Sequence, residues 1–406
     1  MPSSPEKRPL VAVVSPFLDK FHGTERITIE WLSNLPELFD IHVYSQYVEG
    51  LDLSRFKWHR VPKIPGPHLF NFLWWIMANQ VSRAWDRRFR RLKYELVFSP
   101  GINCFDADVI AVQIIFAEFV RRAHGDLRFT RNPVSSWPRL IHRKLYYGVV
   151  MLMEKLLYPN PKTQLVLYAR KTAEDLGHLY QRHEQLPVLY LGIDHDIFNT
   201  ELRASLRTSV RKELGISEKE FALLLIGNDL VKKGLPTLTA ALLSLQELPL
   251  RLLVVSREKP ATYRALVQRL GKRVRFLPLR RDVEFYYAAA DVYVGPSLED
   301  TFSMPPAEAM ACGLPVIVSS TAGVSEIVTD GVDGLILQDA RDSAGLAAMI
   351  RHIYEDQEFR NRLGERAAES TRQYTWERNG KELGAIFQEV LRRKSNMAAE
   401  ARTQES

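Results

Sequence analysis

The sequence predicts an α/β protein built from two doubly wound parallel-sheet domains that face a central cleft. Short, continuous apolar runs alternate with helical stretches, which is typical of parallel strands buried on both faces. This pattern begins at residues 10–15 and begins again at residues 221–226. The length of 406 residues also exceeds what one ordinary core needs. We therefore expect two consecutive domains, with the joint near residues 191–200.

Each half of the chain contains a series of apolar runs that are candidates for strands. In the N-terminal half, they are residues 10–15, 41–45, 94–99, 108–113 and 164–168, with a helix at 25–35. In the C-terminal half, they are 221–226, 250–255, 273–277, 292–296, 316–319 and 334–337, with helices at 236–245 and 284–290. We assign 1–190 and 191–375 to the two domains, 376–394 to an amphipathic closing helix, and 395–406 to a disordered tail.

Composition narrows the functional classes. The net charge is +7, and most of the excess lies in residues 1–200, which would steer an anionic substrate or an anionic membrane surface towards this half. The charge is too dispersed for a nucleic-acid partner.

Two distant cysteines, Cys104 and Cys312, argue against a disulfide framework and predict a cytoplasmic protein. The N-terminal residues are unlike a signal peptide, and no apolar run reaches the roughly 20 residues that span a bilayer.

The most informative stretch is residues 296–318, PSLEDTFSMPPAEAMACGLPVIV. A predicted strand ends at the first residue of this stretch. The prolines at 305–306 suit the first turn of a helix, where no backbone N–H is needed. Asp300 then lies on a loop and Glu308 in the early turns of the helix. Backbone N–H groups around residues 302–304 would point out of the helix start, which is a natural position for phosphate. In open α/β sheets, ligands bind at such loops, after the carboxyl ends of strands.

This stretch resembles the signature of the retaining glycosyltransferases of family 4, which have the GT-B fold. That signature places two acidic residues eight positions apart, in a motif similar to E-G-F-G-x-P-x-x-E-A-M-A-x-G-x-P-V-I, and residues 300–317 read DTFSMPPAEAMACGLPVI. Further motifs of the family are matched in order along the chain. They are GTER at 23–26, LGIDHDIF at 191–198, GNDLVKKG at 227–234, ADVYVGPS at 290–297, TAGVSE at 321–326 and DGVDG at 330–334.

The resemblance implies a role for each residue of a donor site. Glu308 would bind the ribose hydroxyls of a nucleotide-sugar donor, because a carboxylate accepts well from two vicinal hydroxyls. Asp300 would contact the transferred sugar, together with the backbone at Phe302 and Ser303. Lys233 would bind the diphosphate and neutralise the charge that develops on it as it leaves. The same motifs add Gly227, Asn228 and Met304 to the donor site.

The resemblance also implies the reaction and its setting. It is retaining transfer with Asp300 and Lys233 as the catalytic residues, without a covalent enzyme intermediate, a cofactor or a metal ion. The N-terminal domain would bind a saccharide or lipid-linked acceptor, in cell-envelope or exopolysaccharide synthesis. The helix at 376–394 would cross back onto that domain. We expect a cytoplasmic protein, with peripheral contact to the inner face of the membrane as an open alternative.

Four departures from the family pattern bear on activity. Asp300 stands where the family has Glu, Asn228 where it usually has Arg, and Ser303 where it usually has Gly. Members also commonly carry a His after the fourth strand of the N-terminal domain. The candidates for that place here are the amides Asn103 and Gln113. The same domain would present a loop at Gly23 and Thr24, and His22 is interpreted as a loop residue.

Each functional assignment has a structural alternative. Glu308 would equally suit a helix start, Asp300 a turn, and Lys233 a solvated surface. At the level of the whole chain, the alternatives are another enzyme on the same fold, such as a nucleotide-sugar epimerase, and a catalytically weak or inactive nucleotide-sugar-binding scaffold. The pairs Asp106/Asp108 and Asp194/Asp196 resemble a D-x-D metal motif, but we interpret both as structural.

The helix at residues 74–92 is amphipathic. Its apolar stripe comprises Trp74, Met77, Val81, Trp85, Phe89 and Leu92, and Arg83, Arg87 and Arg90 take another face. The preferred interpretation is a helix whose apolar stripe packs on the N-terminal sheet and whose basic side is solvated. The alternative is contact with an anionic membrane surface, which basic residues and Trp suit.

Overall fold

The computed structural model describes residues 8–19, 23–122 and 137–405. The chain forms two compact units, one from Met1–Tyr190 with Trp376–Ser406 and one from Leu191–Thr375. Each unit contains a six-stranded sheet whose neighbouring strands are all parallel. The predicted α/β class with two doubly wound sheets is confirmed.

The first unit forms its sheet from apolar runs that are buried almost completely. Its elements are β1 (Leu10–Val14), β2 (Phe17–Leu18), α1 (Gly23–Asn34), β3 (Asp40–Ser45), β4 (Tyr47–Val48), β5 (Lys57–Arg60), α2 (His68–Phe89), β6 (Leu96–Pro100), β7 (Val109–Val112), α3 (Phe116–Arg122), α4 (Trp137–Leu157), β8 (Gln164–Leu167) and α5 (Arg170–Tyr180). The strand order is β5-β3-β1-β6-β7-β8, and β2 pairs with β4. The sequence did not predict β5, because its residues are mostly polar, as suits a strand at the edge of a sheet.

The second unit repeats this plan. Its elements are α6 (Thr200–Glu213), β9 (Phe221–Ile226), α7 (Leu235–Leu243), β10 (Leu250–Val255), α8 (Arg264–Val267), β11 (Val274–Leu277), α9 (Glu284–Ala289), β12 (Val292–Gly295), α10 (Met304–Ala311), β13 (Val316–Ser319), β14 (Leu335–Leu337), α11 (Ser343–Glu355) and α12 (Gln357–Thr371). The strand order is β11-β10-β9-β12-β13-β14. The central strands are wholly buried beneath the helices, which explains their unbroken apolar sequences.

The closing helix, α13 (Trp376–Glu405), belongs to the first unit and packs on α1. Trp31 of α1 donates its indole N–H to the Asn379 side chain. The expectation that residues 395–406 are disordered is wrong, because the helix continues to Glu405. The reason is local: this segment is rich in Ala, Glu, Arg and Met, which are strong helix formers even where no core supports them.

The same strand order gives both units a point where the winding of the chain reverses. In the first unit, this point lies between β1 and β6; in the second, it lies between β9 and β12. Loops that leave the carboxyl ends of two such strands diverge to opposite faces and leave a crevice that binds ligands. The loop after β9 and the loop after β12 are those that carry the predicted donor motifs.

Helix α2 turns a different face to the core from the one that the sequence predicts. Met77, Val81, Trp85 and Phe89 are 51–62% exposed. Arg83, assigned to the solvated side, is buried and bonds Asp106 through both guanidinium Nη atoms at 2.7 Å. The interpretation that the apolar stripe packs on the sheet is therefore wrong. The helix instead buries an adjoining face, formed by Trp75, Ile76, Ala78 and Asn79.

Candidate functional site

The crevice of the second unit is formed by two loops in direct contact. Leu298, after β12, donates its backbone N–H to the carbonyl of Lys232, after β9, at 2.7 Å. Gly234 has a φ of +82°, and a Cβ on it would lie 2.0 Å from the Pro296 carbonyl oxygen. No side chain fits there, so this glycine permits both the backbone conformation and the close approach of the loops.

Lys233, Asp300 and Ser303 meet where these two loops touch. The Lys233 ammonium forms an ion pair with Asp300 and lies 3.2 Å from the Ser303 hydroxyl. Its side chain runs along Gly227, where a Cβ would lie 2.8 Å from Lys233 Cε. Lys233 and Asp300 are 17% and 20% exposed, so their attraction is screened less than that of a surface pair. The structure thus brings together three residues that were predicted from two separate motifs.

Ser303 holds an unusual backbone conformation at the start of α10. Its φ is +78°, in the region that favours glycine, and the family pattern has Gly at this place. Such a conformation costs on the order of 1–3 kcal/mol in a non-glycine residue. The helix begins at Met304, and the two prolines occupy its second and third positions as predicted. Phe302 is buried, and its carbonyl accepts from Val324 at 2.7 Å.

Glu308 is buried in the second turn of α10, beyond the positions where capping side chains sit. It is 3% exposed, and its Oε2 accepts from the Tyr287 hydroxyl at 2.7 Å. Burial raises the pKa of the fully buried Tyr293, and the charges of Asp300 and Glu308 raise it further, so both acids lie within electrostatic range of this phenol. Sequence reasoning missed Tyr287. Its place three residues before the ADVYVGPS motif was the available signal.

The Asn228 side chain contacts the residues that follow the neighbouring strand, β10. Its Oδ1 accepts from the Arg257 backbone N–H at 3.1 Å and lies 3.4 Å from the Ser256 hydroxyl, both after β10. Gly227 donates its N–H to the Val255 carbonyl at 3.0 Å. The side chain that replaces the family's arginine therefore ties the loops after β9 and β10 together.

The crevice of the first unit is lined by amides. A Cβ on Gly101, just after β6, would lie 3.3 Å from Gln113 Oε1 and 3.8 Å from Asn103 Nδ2, so both amides converge on this glycine. The Asn103 amide donates to the Pro100 carbonyl at 2.8 Å. Gln113 follows β7. The two candidates for the family's histidine therefore lie side by side at the carboxyl ends of neighbouring strands.

The other predicted loop of the first unit is the first turn of α1. Gly23 begins the helix, and the Thr24 hydroxyl donates to Glu25 at 2.5 Å. Burial raises the pKa of Tyr168, after β8, and the Glu25 carboxylate raises it further, which places the start of α1 near the end of β8. His22 lies outside the described residues.

Both D-x-D pairs have structural partners. Asp106 pairs with Arg83, and Asp108 accepts from the Val97 backbone at 2.8 Å. Asp194 accepts from the backbone of Asp196 at 3.1 Å. Within residues 8–19, 23–122 and 137–405, no three His, Cys, Asp or Glu side chains are grouped as they would be to hold a metal ion. None of the helices in those ranges is both long enough and apolar enough to span a bilayer.

Comparison with known proteins places these motifs in a family. The sequence profile of the glycosyl transferases group 1 family matches residues 207–370. The chain is 31% identical over 242 residues to a D-inositol 3-phosphate glycosyltransferase of Xylanimonas cellulosilytica, a match that covers 57% of this chain and 58% of that protein. It is 28% identical over 276 residues to the lipopolysaccharide glucosyltransferase WaaG of Escherichia coli, which covers 66% and 69%.

Solved structures extend the likeness to both units. A crystal structure of WaaG matches with a TM-score of 0.73 and 23% identity, and covers 93% of this chain and 99% of that one. Anabaena HepE, solved with UDP and glucose, matches with a TM-score of 0.67 and 16% identity, and covers 94% and 100%. Residues 207–370 therefore match the glycosyl transferases group 1 family, and the chain as a whole has the GT-B fold of these solved structures.

Proposed function

We propose that this chain is a glycosyltransferase that moves a sugar, with retention of configuration, from a nucleoside-diphosphate sugar to a saccharide or lipid-linked acceptor. The contact of Lys233 with Asp300 and Ser303, at the crevice of the second unit, carries this proposal. It offers a cation to the diphosphate and a carboxylate to the sugar hydroxyls. The buried carboxylate of Glu308 takes the ribose.

The donor in this proposal is a uridine or guanosine diphosphate sugar, bound at micromolar to millimolar concentration. The group 1 family and the HepE structure, which contains UDP and glucose, support a nucleotide sugar. The acceptor binds to the first unit, where the amides Asn103 and Gln113 offer neutral donors and acceptors to hydroxyl groups. The name of WaaG, a lipopolysaccharide glucosyltransferase, supports a pathway of envelope glycan synthesis.

The reaction needs little covalent chemistry from the protein. The bond between the anomeric carbon and the diphosphate oxygen breaks, and a bond to the acceptor oxygen forms on the same face of the sugar. The acceptor proton passes to the leaving diphosphate. Lys233 stabilises the charge that grows on that oxygen, and Asp300 holds the sugar in place. Neither residue needs a metal ion to act in this way.

Replacing Glu308 with Gln tests the donor site. This change keeps the size of the side chain but makes a charged acceptor neutral, and a hydrogen bond to a charged group is worth roughly 1.5–3 kcal/mol. We expect affinity for the better bound of UDP and GDP, measured by calorimetry, to fall about tenfold. Glu369→Gln, at an exposed position of α12, is the control. If the folded Glu308→Gln protein binds the nucleotide with unchanged affinity, the assignment of Glu308 to the donor site is refuted.

Two further measurements separate the enzyme from its rivals. Transfer and binding that persist in EDTA support the metal-independent reaction, and loss of both would refute it. Tight nucleotide-sugar binding without transfer or donor hydrolysis would favour a binding scaffold. A product with altered sugar configuration but no glycosidic bond would favour an epimerase.

The proposal also places the protein at the cytoplasmic face of an anionic membrane, through a surface of the first unit that we call the α2–α4 face. The two helices touch: the rings of Phe72 and Tyr146 lie 5.4 Å apart, edge to face. The face is formed by large apolar side chains that are 39–62% exposed. They are Phe70, Leu73, Met77, Val81, Trp85 and Phe89 on α2, and Trp137, Ile141, Leu145, Leu152 and Leu156 on α4.

Charge indicates which partner covers the α2–α4 face. The acids of these two helices, Asp86 and Glu154, are buried. The exposed charged residues of α2 and α4 are all basic: Arg87, Arg88, Arg139, Arg143, Lys144 and Lys155. A second copy of the chain would bring like charges together, whereas anionic headgroups attract them and the apolar side chains enter the interface.

Vesicle binding tests the α2–α4 face. We expect sedimentation with vesicles that contain phosphatidylglycerol at low salt, and a loss of most of the bound fraction in Trp85→Ser/Phe89→Ser and in Leu152→Ser/Leu156→Ser. Leu38→Ser, at an exposed position outside the face, is the matched control. Arg83 is unsuitable for charge reversal because it is buried against Asp106. Absence of binding by the wild type refutes the proposal, and a concentration-dependent dimer would point to a second copy.

A further inference from the structure

We propose that Tyr287 is a positioning residue that holds the Glu308 carboxylate ready for the ribose of the donor. This inference rests on the proposed function, in which Glu308 binds the ribose. It adds a residue that acts on the ligand through another side chain, and it makes the preference for ribose depend on one phenol in the interior of the second unit.

The phenol of Tyr287 is itself firmly held. Its side chain is wholly buried on α9, and its ring packs edge-on against Phe198 with the centroids 5.7 Å apart. Its hydroxyl donates to Glu308 Oε2 at 2.7 Å. Both residues are buried, with Glu308 3% exposed. The carboxylate is therefore oriented by a ring that has little freedom to move.

This hydrogen bond leaves the carboxylate able to act on a ligand. A carboxylate offers about four lone-pair positions, so one bond from a phenol is compatible with further bonds from vicinal hydroxyls. A long acidic side chain otherwise loses rotational freedom when a ligand binds, and orienting it beforehand reduces that cost.

The neighbouring tyrosine offers a matched control. Tyr286 is also buried on α9, but its hydroxyl donates to the backbone carbonyl of Pro278 at 2.6 Å. Tyr286→Phe and Tyr287→Phe thus remove the same atom from the same helix, and only the second removes a bond to Glu308. A purely structural role for Tyr287 predicts similar results for the two variants.

The experiment compares the better bound of UDP and GDP with its 2′,3′-dideoxy analogue. We expect the wild type to prefer the ribose form, and Tyr287→Phe to lower affinity for that form about five- to tenfold while affinity for the dideoxy form changes less than about twofold. Tyr286→Phe should keep the wild-type preference.

The outcomes separate this inference from the proposed function. If the wild type prefers ribose and Tyr287→Phe keeps that preference, the positioning role is refuted and the donor site stands. If the wild type binds neither nucleotide, or does not distinguish the dideoxy form, both fail. Should Tyr287→Phe not fold, Phe198→Leu loosens the ring instead. It should reduce the ribose preference by a smaller factor, and an unchanged preference would again refute the role.

Discussion

The two units share a strand order but differ in the chemistry at their crevices. In the second unit, the loops after β9 and β12 bring a lysine, a carboxylate and a hydroxyl into contact beside the buried Glu308. In the first unit, the loops after β6 and β7 bring the amides Asn103 and Gln113 together around Gly101. The same topology therefore presents charges in one unit and neutral polar groups in the other.

This difference indicates how two units with the same fold can bind two different substrates, a charged diphosphate and a neutral acceptor. A diphosphate carries charge that grows during transfer, and only a preorganised cation stabilises that growth without reorganisation. An acceptor hydroxyl is neutral, and amides can both donate to it and accept from it. We therefore expect changes in the second unit to alter turnover strongly, and changes in the first unit to alter acceptor binding modestly.

The largest effect should come from the ion pair of the second unit. Lys233→Ala removes the cation that stabilises the leaving diphosphate, so we expect the transfer rate to fall about 10²–10³-fold, the cost of removing one stabilising group. Nucleotide affinity should fall less, by about tenfold. Initial-rate kinetics and calorimetry with the nucleotide measure the two quantities. Lys219→Ala, at an exposed position of the same unit, should change neither.

Asp300→Asn should lower turnover without lowering the affinity for the nucleotide. The Asp300 carboxylate forms an ion pair with the Lys233 ammonium, so it competes with a diphosphate for that cation. We expect transfer to fall at least about 100-fold, while affinity for the free nucleotide diphosphate stays equal or rises by a few fold. Parallel losses of affinity and turnover would mean that Asp300 contributes to nucleotide binding rather than to the sugar alone.

Sequence patterns identified the second unit better than the first for a physical reason. A site that binds a charged diphosphate needs particular residue types at fixed spacing, as in the stretch that contains Asp300 and Glu308. The contact between Lys233 and Asp300 joins residues 67 positions apart. Two motifs at the ends of strands β9 and β12 predicted both residues for the donor site, although not the ion pair between them. Amides have no such signature, so Asn103 and Gln113 could be named only as candidates.

Two other features depended on packing that the sequence does not encode locally. The partner of Glu308, Tyr287, becomes visible only once α9 and α10 lie side by side. The orientation of α2 was mispredicted because Arg83, which a helical pattern assigns to solvent, is buried and pairs with Asp106, whose side chain is about half-exposed. An ion pair with one buried partner can thus change the face that a helix turns to the core, against its apolar periodicity.

A smaller effect should follow from the amide pair of the first unit. Gln113→Ala removes one group beside Gly101, and a single neutral hydrogen bond is worth about 0.5–1.5 kcal/mol. We expect the KM for the acceptor to rise about three- to tenfold, while affinity for the nucleotide remains that of the wild type. Gln373→Ala, on the exposed surface of the second unit, serves as control. A change in nucleotide affinity as large as the change in acceptor KM would contradict the division between the units.

The smallest effect concerns stability, and it arises from a buried histidine pair in the first unit. His42 Nδ1 lies 2.8 Å from His59 Nε2, and His59 Nδ1 lies 2.7 Å from the Asp86 carboxylate. Burial lowers the pKa of both histidines below the usual value of about 6.5. The charged and titratable groups around the pair are Asp40, Lys57, Asp86, Arg90, Tyr44 and Tyr94.

The sign of the pH effect follows from these lowered pKa values. The unfolded chain takes up protons at these histidines as the pH falls through about 6.5, whereas the folded unit takes them up only at a lower pH. The free energy of unfolding is therefore highest above about pH 6.5 and decreases below it. The slope is at most about 1.4 kcal/mol per pH unit for each histidine. We expect the free energy of unfolding of the first unit, followed by hydrogen exchange of its strands in denaturant, to fall by about 1 kcal/mol between pH 7.5 and pH 5.5. His42→Asn should reduce that slope, whereas His352→Asn, at a half-exposed position of α11, should leave it intact. A stability of the first unit that rises on acidification would show that the pair is stabilised by protonation, and would reverse this account of the buried network.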